Sequence, residues 1–166
     1  MLRDERDTVQ SGIQELVLDN FLPYRLNILA EIVSHSLAEV YSRQYDIVIP
    51  EWRVLANLGQ RGKLSAKQIG ERAHMNKTKV SRAAAALEQS GLIMRNTDNN
   101  DKRSAILSLT GKGRDIYNRI VPVAIDFANE LESALDPEDL RAFDQMLLKL
   151  KRKSEELAIS LNRETD

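Results

Sequence analysis

The chain has 166 residues, of which 42% are hydrophobic and 30% are charged, and its net charge is −1. This composition predicts one globular domain with or without an extension, and it excludes a disordered chain. The sequence has no apolar run near the roughly 18 residues that span a bilayer, no signal-peptide core in MLRDERDTVQ and no cysteine, so we expect a cytoplasmic protein that does not enter a membrane.

The N-terminal third predicts a long amphipathic helix from about Asn20 to Tyr45. Apolar residues recur along it every three or four positions and form one stripe of Leu22, Leu26, Leu29, Val33, Leu37 and Val40. A second helix, PEWRVLANLGQRG, begins at Pro50, and we expect Gly59 and Gly62 to help end it. Its buried side would carry Trp52, Leu55 and Leu58.

The stretch from residue 65 to residue 110 predicts helix, turn, helix, strand, loop and strand. Ser65 and Gln68 form an S-x-x-Q capping box at the start of SAKQIGERA (65–73). After the turn HMN, Asn76 can cap KTKVSRAAAALEQSG (77–91), and Gly91 lies where a left-handed residue ends helices. The strands LIMRNT (92–97) and SAILSLT (104–110) enclose the loop DNNDKR (98–103). This order is typical of a winged helix-turn-helix.

Two more helices follow the second strand. Thr110 caps a helix that would reach residue 135, in which Pro122 predicts a kink or a break. Asp136 and Pro137 start a last helix that ends near Leu161, with apolar positions at Leu140, Phe143, Leu147 and Leu150.

The predicted fold class is therefore mostly α (α+β). A winged helix-turn-helix lobe, residues 50–112, is flanked by one discontinuous helical dimerisation region, residues 12–46 plus 113–161. Neither helical arm closes a core alone, so we expect the first helix to pack against the last two and the remaining apolar surface to form a homodimer interface. A monomeric bundle that buries those faces internally is the alternative.

The positive charge is concentrated in the predicted lobe. Between Arg61 and Arg114 there are 12 basic and 4 acidic residues, a net charge of +8, whereas the rest of the chain carries −9. Phosphate binding needs local positive charge rather than a high global pI, because ionic interactions are screened over about 10 Å. This basic island favours double-stranded DNA as a partner, although a solvated basic surface would have the same composition.

The second helix of the lobe divides into two faces. Val80, Ala83, Ala84 and Leu87 would lie inward, while polar and basic residues near its start would face the major groove. Arg82 can bond a guanine through two hydrogen bonds, and cations of the loop suit a narrow minor groove. We predict DNA contacts from Ser65, Lys77, Thr78, Lys79, Ser81, Arg82, Lys102 and Arg103. Alternatively, Thr78 and Ser81 are ordinary surface residues, Arg82 pairs with a carboxylate and the loop is a plain solvated hairpin.

These patterns resemble those of the MarR family of bacterial transcriptional regulators. The matching motifs are I-x-E-R-A (69–73), K-V-S-R (79–82), L-E-x-x-G-L-I-x-R (87–95), D-x-x-D-x-R (98–103) and L-T-x-x-G (109–113). The resemblance implies a two-fold dimer on a pseudopalindromic operator, which small ligands such as aromatic acids or their thioesters release. One difference is Asn100, where many members have an arginine, so minor-groove contact would fall to Arg103 or Lys102 or be weaker.

The resemblance also implies a ligand pocket between the dimerisation helices and the lobe. Its candidate residues are Tyr24, Arg25, His35, Trp52 and Arg53, with Asn27, Ile28 and Tyr117 as further lining residues. An arginine near aromatic rings suits a carboxylate or a phosphate-bearing ligand. In the alternative interpretation Trp52 and Tyr24 belong to the core or the dimer interface, and His35 is structural.

The sequence therefore predicts a DNA-binding transcriptional regulator, most consistent with a dimeric repressor that a small anionic ligand releases. A winged-helix protein-interaction module without specific DNA binding is the alternative. Enzyme function is not expected, because the chain has no nucleophile-base pattern, no metal-ligand spacing and no complete phosphate-binding glycine loop. With two histidines and no cysteine, we expect neither a metal site nor a cofactor.

Overall fold

The computed structural model describes residues 15–97 and 105–163, and the fold refers to these residues. The predicted wing loop, with Asn100, Lys102 and Arg103, lies outside them. In chain order the elements are a 3-10 turn (Leu18–Asn20), α1 (Leu22–Tyr45), α2 (Ile49–Arg61), β1 (Leu64–Ser65), α3 (Ala66–Ala73), α4 (Lys77–Gln89), β2 (Ile93–Thr97), β3 (Ala105–Leu109), α5 (Gly111–Glu132) and α6 (Pro137–Arg163). None of the described helices is long and apolar enough to cross a bilayer.

The lobe is a winged helix built around one apolar core. Its helices α2, α3 and α4 pack together and against an antiparallel sheet of strand order β1-β3-β2. The buried core residues are Tyr41, Ile47, Val54, Leu55, Leu58, Leu64, Ile69, Met75, Val80, Ala83, Ala84, Leu87, Leu92, Ile93, Leu107 and Ile120. The predicted inward face of α4 is therefore confirmed, and so is the fold class.

The strand β1 was not predicted from the sequence. Leu64 and Ser65 pair with Leu107 and Ile106 of β3, which makes β3 the central strand of the sheet. A pair of residues is too short to show the alternation that marks a strand. The pairing fixes the start of α3 beside the wing strand β3, at the end that leads into the loop.

Three of the predicted helix starts are confirmed by their hydrogen bonds. The Ser65 hydroxyl accepts from the Gln68 N–H at 3.2 Å, and the Gln68 side chain accepts from the Ser65 N–H at 2.8 Å. Asn76 Oδ1 accepts from the Lys79 N–H at 2.9 Å, and Thr110 Oγ1 accepts from the Gly113 N–H at 3.0 Å. These caps satisfy N–H groups that have no partner within the helix, so each helix begins at a defined residue.

The expectation that Gly59 helps to end α2 is wrong. Gly59 lies inside the helix, which ends at Arg61 with Gly62 as its cap at a φ of +85°. A Cβ on Gly59 would overlap the ring of Tyr117, so the residue is small because α5 approaches α2 closely there. Gly91, in contrast, has the expected left-handed φ of +71°.

The helical arms pack less completely than expected. Helix α1 packs along α5, but α6 makes only sparse contact with the other described elements. From residue 138 to residue 161 of α6, all but Leu140 and Ala142 are exposed. Helix α5 runs through Pro122 without a break. The expected packing of the first helix is thus confirmed for α5, whereas the apolar stripe of α6 is left uncovered by the part of the chain that the structure describes.

We predict that Gly113→Ala destabilises the protein by about 1–3 kcal/mol, since overpacking of a close contact has this cost. A Cβ on Gly113 would overlap the backbone carbonyl of Leu92, and backbone cannot move aside as a flexible side chain can. Urea denaturation measures the change. Gly111→Ala is the control, because a Cβ there meets nothing within 4 Å. Equal stabilities for the two variants would contradict this explanation of Gly113.

Candidate nucleic-acid interface

Helix α4 presents a polar and basic face at its N-terminal end. Val80, Ala83, Ala84 and Leu87 hold it on the core. The opposite face carries exposed residues, which are the five predicted contacts of this helix: Lys77, Thr78, Lys79, Ser81 and Arg82. Because Asn76 caps the helix and the core fixes the other face, this face is held rigidly in solvent. A rigid, convex helix with cations at its start has the shape and charge that fit a DNA major groove.

The cations of the basic island have different roles. Four are engaged within the protein: Lys67 lies 3.9 Å from Glu71, Arg95 lies 3.4 Å from Glu88, Lys112 donates to the Ser90 carbonyl and Arg114 donates to the Gly59 carbonyl. The side-chain cations of Lys77, Lys79 and Arg82, in contrast, have no ion-pair or hydrogen-bond partner among the residues that the structure describes. The carboxylate partner considered for Arg82 is therefore not found in the described part of the chain.

Ser65 lies at the junction of β1 and α3 and is half-buried. Its hydroxyl oxygen accepts a hydrogen bond from the Gln68 N–H, so the O–H remains able to donate to an outside acceptor. Since Ser65 pairs with Ile106, one residue from the start of β3, it lies near the base of the wing. The predicted wing contacts Lys102 and Arg103 are outside the described residues.

The C-terminal end of α4 is fixed to the start of α5 by hydrogen bonds that were not predicted from the sequence. Thr110 Oγ1 donates to the Gly91 carbonyl at 2.7 Å, and its backbone N–H donates to the Leu92 carbonyl at 3.0 Å. Lys112 Nζ donates to the Ser90 carbonyl at 2.9 Å, where the helix dipole favours a cation. Lys112, counted with the basic island, thus holds the end of α4. The motif L-T-x-x-G was the available signal, because it contains both the capping threonine and Gly113.

Four of the five candidate ligand residues line two separate cavities. Tyr24 and Arg25 line an open groove of about 500 Å³ between α1 and Phe143 of α6. His35 and Arg53 line a smaller cavity of about 240 Å³ between α1 and the start of α2, together with Asn27, Ala30, Glu31, Ser34 and Ile49. The structure therefore brings His35 and Arg53 together and Tyr24 and Arg25 together, but it does not join the two pairs.

Trp52 belongs to an aromatic stack rather than to the described lining of either cavity. Its ring centroid is 5.3 Å from that of Tyr41 and 6.3 Å from that of Tyr117. Burial raises the pKa of Tyr41 to about 12, although the positive charge of the nearby Arg53 lowers it in part. Tyr41 is therefore a neutral core residue, and Arg53 lies between this stack and the smaller cavity.

Comparisons with known proteins agree with this geometry. A family profile described as MarR family matches residues 47–105, which hold α2 to the start of β3. The uncharacterized HTH-type transcriptional regulator YkoM of Bacillus subtilis is 31% identical over 122 residues, which cover 73% of this chain and 75% of YkoM.

Solved structures share the fold. A MarR/EmrR family transcriptional regulator from Acinetobacter sp. ADP1 superposes with a TM-score of 0.77 at 24% identity, covering 85% of this chain and 99% of the other. Bordetella bronchiseptica BpsR, whose DNA binding is regulated by 6-hydroxynicotinic acid, superposes with a TM-score of 0.65 at 18% identity, covering 76% and 98%. On its motifs, its fold and these matches, the chain belongs to the MarR family and is a transcriptional regulator with a DNA-binding winged helix-turn-helix fold.

Proposed function

We propose that this regulator is a homodimeric repressor that binds a pseudopalindromic operator in double-stranded DNA and leaves it when a small aromatic acid binds. The observation that carries the DNA contact is the exposed face of α4, on which Lys77, Lys79 and Arg82 have no partner in the described part of the chain. Cations without internal partners are free to replace the counterions of DNA phosphates. A DNA-binding regulator works where the chromosome is, so we place it in the cytoplasm.

The roles of the contact residues follow from their chemistry. The guanidinium of Arg82 can form two parallel hydrogen bonds with a guanine, while Thr78 and Ser81 can reach bases or phosphates. Lys77 and Lys79 neutralise phosphates, and the Ser65 hydroxyl donates a hydrogen bond to the DNA backbone beside the wing. Lys102 and Arg103 would add minor-groove contacts from the loop.

The homodimer is supported by apolar surface that one chain leaves in water. Ile32 of α1 is 59% exposed, Ile125 of α5 is 53% exposed and Leu148 of α6 is 68% exposed. Exposed apolar surface of this extent along long helices marks a protein interface. A monomeric bundle would have to bury these apolar faces against one another, but the apolar face of α6 stays exposed among the described residues. A two-fold dimer presents two copies of α4, which matches two half-sites about 34 Å apart.

The smaller cavity is the better candidate for the effector. Arg53 and His35 can donate hydrogen bonds to a carboxylate, and Asn27 and Ser34 add polar groups that can fix its orientation. A volume of about 240 Å³ suits a small aromatic acid better than a coenzyme A thioester, most of which would have to remain outside. The regulation of BpsR by 6-hydroxynicotinic acid supports the same ligand class.

The proposed function is tested by selecting genomic DNA fragments with the purified protein and then competing the bound fragments with a panel of aromatic acids and their coenzyme A thioesters. We expect one enriched palindrome that a free acid releases. An intact dimer that enriches no sequence would instead support the protein-interaction module, and capture of a protein partner would follow.

We predict that Arg82→Ala weakens binding to the selected palindrome by about 1–3 kcal/mol and relaxes preference at one base position. The lost group is the one able to bond two atoms of a guanine. Fluorescence anisotropy with a set of single-base operator variants measures both effects. A folded Arg82→Ala dimer with unchanged affinity and unchanged base preference would rule out this role.

Lys79→Ala should behave differently, because an ammonium on phosphate carries no base information. We expect weaker binding to all duplexes alike and a salt dependence reduced by about one counterion. The measurement is the slope of log affinity against log salt concentration. The matched control is Lys151→Ala, whose ammonium lies 4.0 Å from Glu155 on α6, outside the basic island, and which should leave the slope unchanged.

Arg53→Ala should raise the concentration of acid needed for half release of DNA about tenfold, since a charge-assisted hydrogen bond contributes roughly 1.5–3 kcal/mol. DNA affinity without ligand should stay unchanged. Arg25→Ala is the comparison variant, because Arg25 lines the other cavity. An unaltered ligand response in a protein with both arginines replaced would exclude an arginine-bound inducer.

Leu147→Glu should convert the dimer to monomers, because it places a charge within the apolar stripe of α6. Sedimentation analysis gives the oligomeric state, and the helical content by circular dichroism shows whether the fold persists. Gln145→Glu adds the same charge on the same helix at an exposed polar position and should remain dimeric. A dimeric Leu147→Glu variant would place the interface elsewhere.

A further inference from the structure

The first two turns of α5 touch two different parts of the lobe. On one side, Arg114 Nη1 donates to the Gly59 carbonyl of α2 at 2.7 Å, and the Arg114 guanidinium lies 5.5 Å from the ring centroid of Tyr117. The Tyr117 ring occupies the space that a Cβ on Gly59 would need. Helix α5 is therefore held to α2 by one charged hydrogen bond and one close ring contact.

The same ring leads towards the smaller cavity. Tyr117 stacks on Trp52 with an interplanar angle of 24°, and Trp52 in turn packs on Tyr41 with an angle of 31°. Arg53 follows Trp52 in α2, acts electrostatically on Tyr41 and lines the cavity beside His35. Helix α2 thus carries both the cavity wall, through Arg53, and the aromatic stack, through Trp52, and the stack reaches the start of α5 at Tyr117.

On its other side, the start of α5 holds α4, which is the recognition helix of the winged helix-turn-helix. Lys112 binds the Ser90 carbonyl and Thr110 binds the Gly91 carbonyl, both at the C-terminal end of α4. Because α5 is a continuous helix from Gly111, a change in its angle at Tyr117 also moves the groups that hold α4. Coupling between sites requires an element that both sites can bias, and the start of α5 contacts both α2 and the end of α4.

We propose that Arg114 and Tyr117 are positioning residues that couple the cavity lined by His35 and Arg53 to the recognition helix. An acid that binds Arg53 shifts α2, which also carries Trp52, and the displacement reaches α4 through Tyr117, Arg114 and the start of α5. The inference rests on the proposed function, since it assumes that DNA and ligand bind the same protein at these two places. It adds the residues through which ligand binding in the cavity affects DNA binding at α4.

Trp52 makes the coupling measurable, because it is the only tryptophan of the chain. Linkage is reciprocal, so DNA bound at α4 must alter the surroundings of Trp52 if the contacts couple the two sites. The experiment titrates the full-length dimer with the duplex recovered by fragment selection and records the emission maximum of Trp52. We expect the wild type to shift its emission on saturation with duplex.

The variants separate coupling from folding. Arg114→Met should still bind the duplex but lose most of the emission shift, and Arg114→Lys should restore it, because a lysine can donate to the Gly59 carbonyl. Arg119→Met is the matched control on the exposed side of α5 and should shift as the wild type does. Tyr117→Leu removes the ring while keeping the Arg114 hydrogen bond, and it should also lose the shift. It decides the outcome if Arg114→Met does not fold.

The proposal is overturned if duplex binds the wild type without moving the Trp52 emission, or if Tyr117→Leu keeps the full shift. Failure of the proposed function gives a different result, in which the wild type binds no duplex at all and both proposals fall together.

Discussion

The position of the recognition helix depends on a close backbone contact between Gly113 and the carbonyl of Leu92. No side chain fits between them, so the first turn of α5 lies directly against the end of α4. The hydrogen bonds of Thr110 and Lys112 to the residues just before Leu92 complete this junction. With Asn76 capping the other end and Val80 to Leu87 in the core, α4 is held at both ends and along one face. Its exposed residues can therefore meet a groove without first being ordered.

The same short segment of α5 also explains how the lobe is joined to the helical arms. Arg114 and Tyr117 hold α5 to α2, while α1 packs along α5 and contributes Tyr41 to the core of the lobe. The lobe and the first arm thus share one core, and the proposed division of the chain into a lobe and a dimerisation region is one of function rather than of separate packing. Helix α6 is different, since no element within residues 15–97 and 105–163 covers its apolar stripe.

The basic residues of the lobe divide into those that stabilise it and those that face solvent. Several cations of the basic island stabilise the lobe, because they neutralise a helix C-terminus or pair with a carboxylate, and these pairs on the surface contribute little energy each. The cations at the start of α4 have no such partner among the described residues. A net charge of −1 for the whole chain conceals this difference. In the proposed complex, the acidic remainder of the chain would repel DNA while the cations of α4 attract it, which orients α4 towards the duplex.

The sequence by itself determined the order of the helices and wing strands of the lobe and the starts of α3, α4 and α5, because capping residues, helical periodicity and a left-handed glycine depend on residues a few positions apart. Ser65, Asn76, Gly91 and Thr110 act as expected for that reason. The motifs also determined the family. Only the tertiary structure decided that Gly59 makes room for Tyr117, that β1 joins the sheet and that Lys112 holds the end of α4.

The positions of the candidate ligand residues likewise could not be predicted from local sequence patterns. Tyr24, Arg25, His35 and Arg53 lie on neighbouring turns or helices, so the sequence could place them in one pocket. The packing of α1 on α2 and α5 instead separates them into two cavities. Contacts between residues far apart in the chain depend on the angle and distance at which helices pack, and no local pattern contains that information.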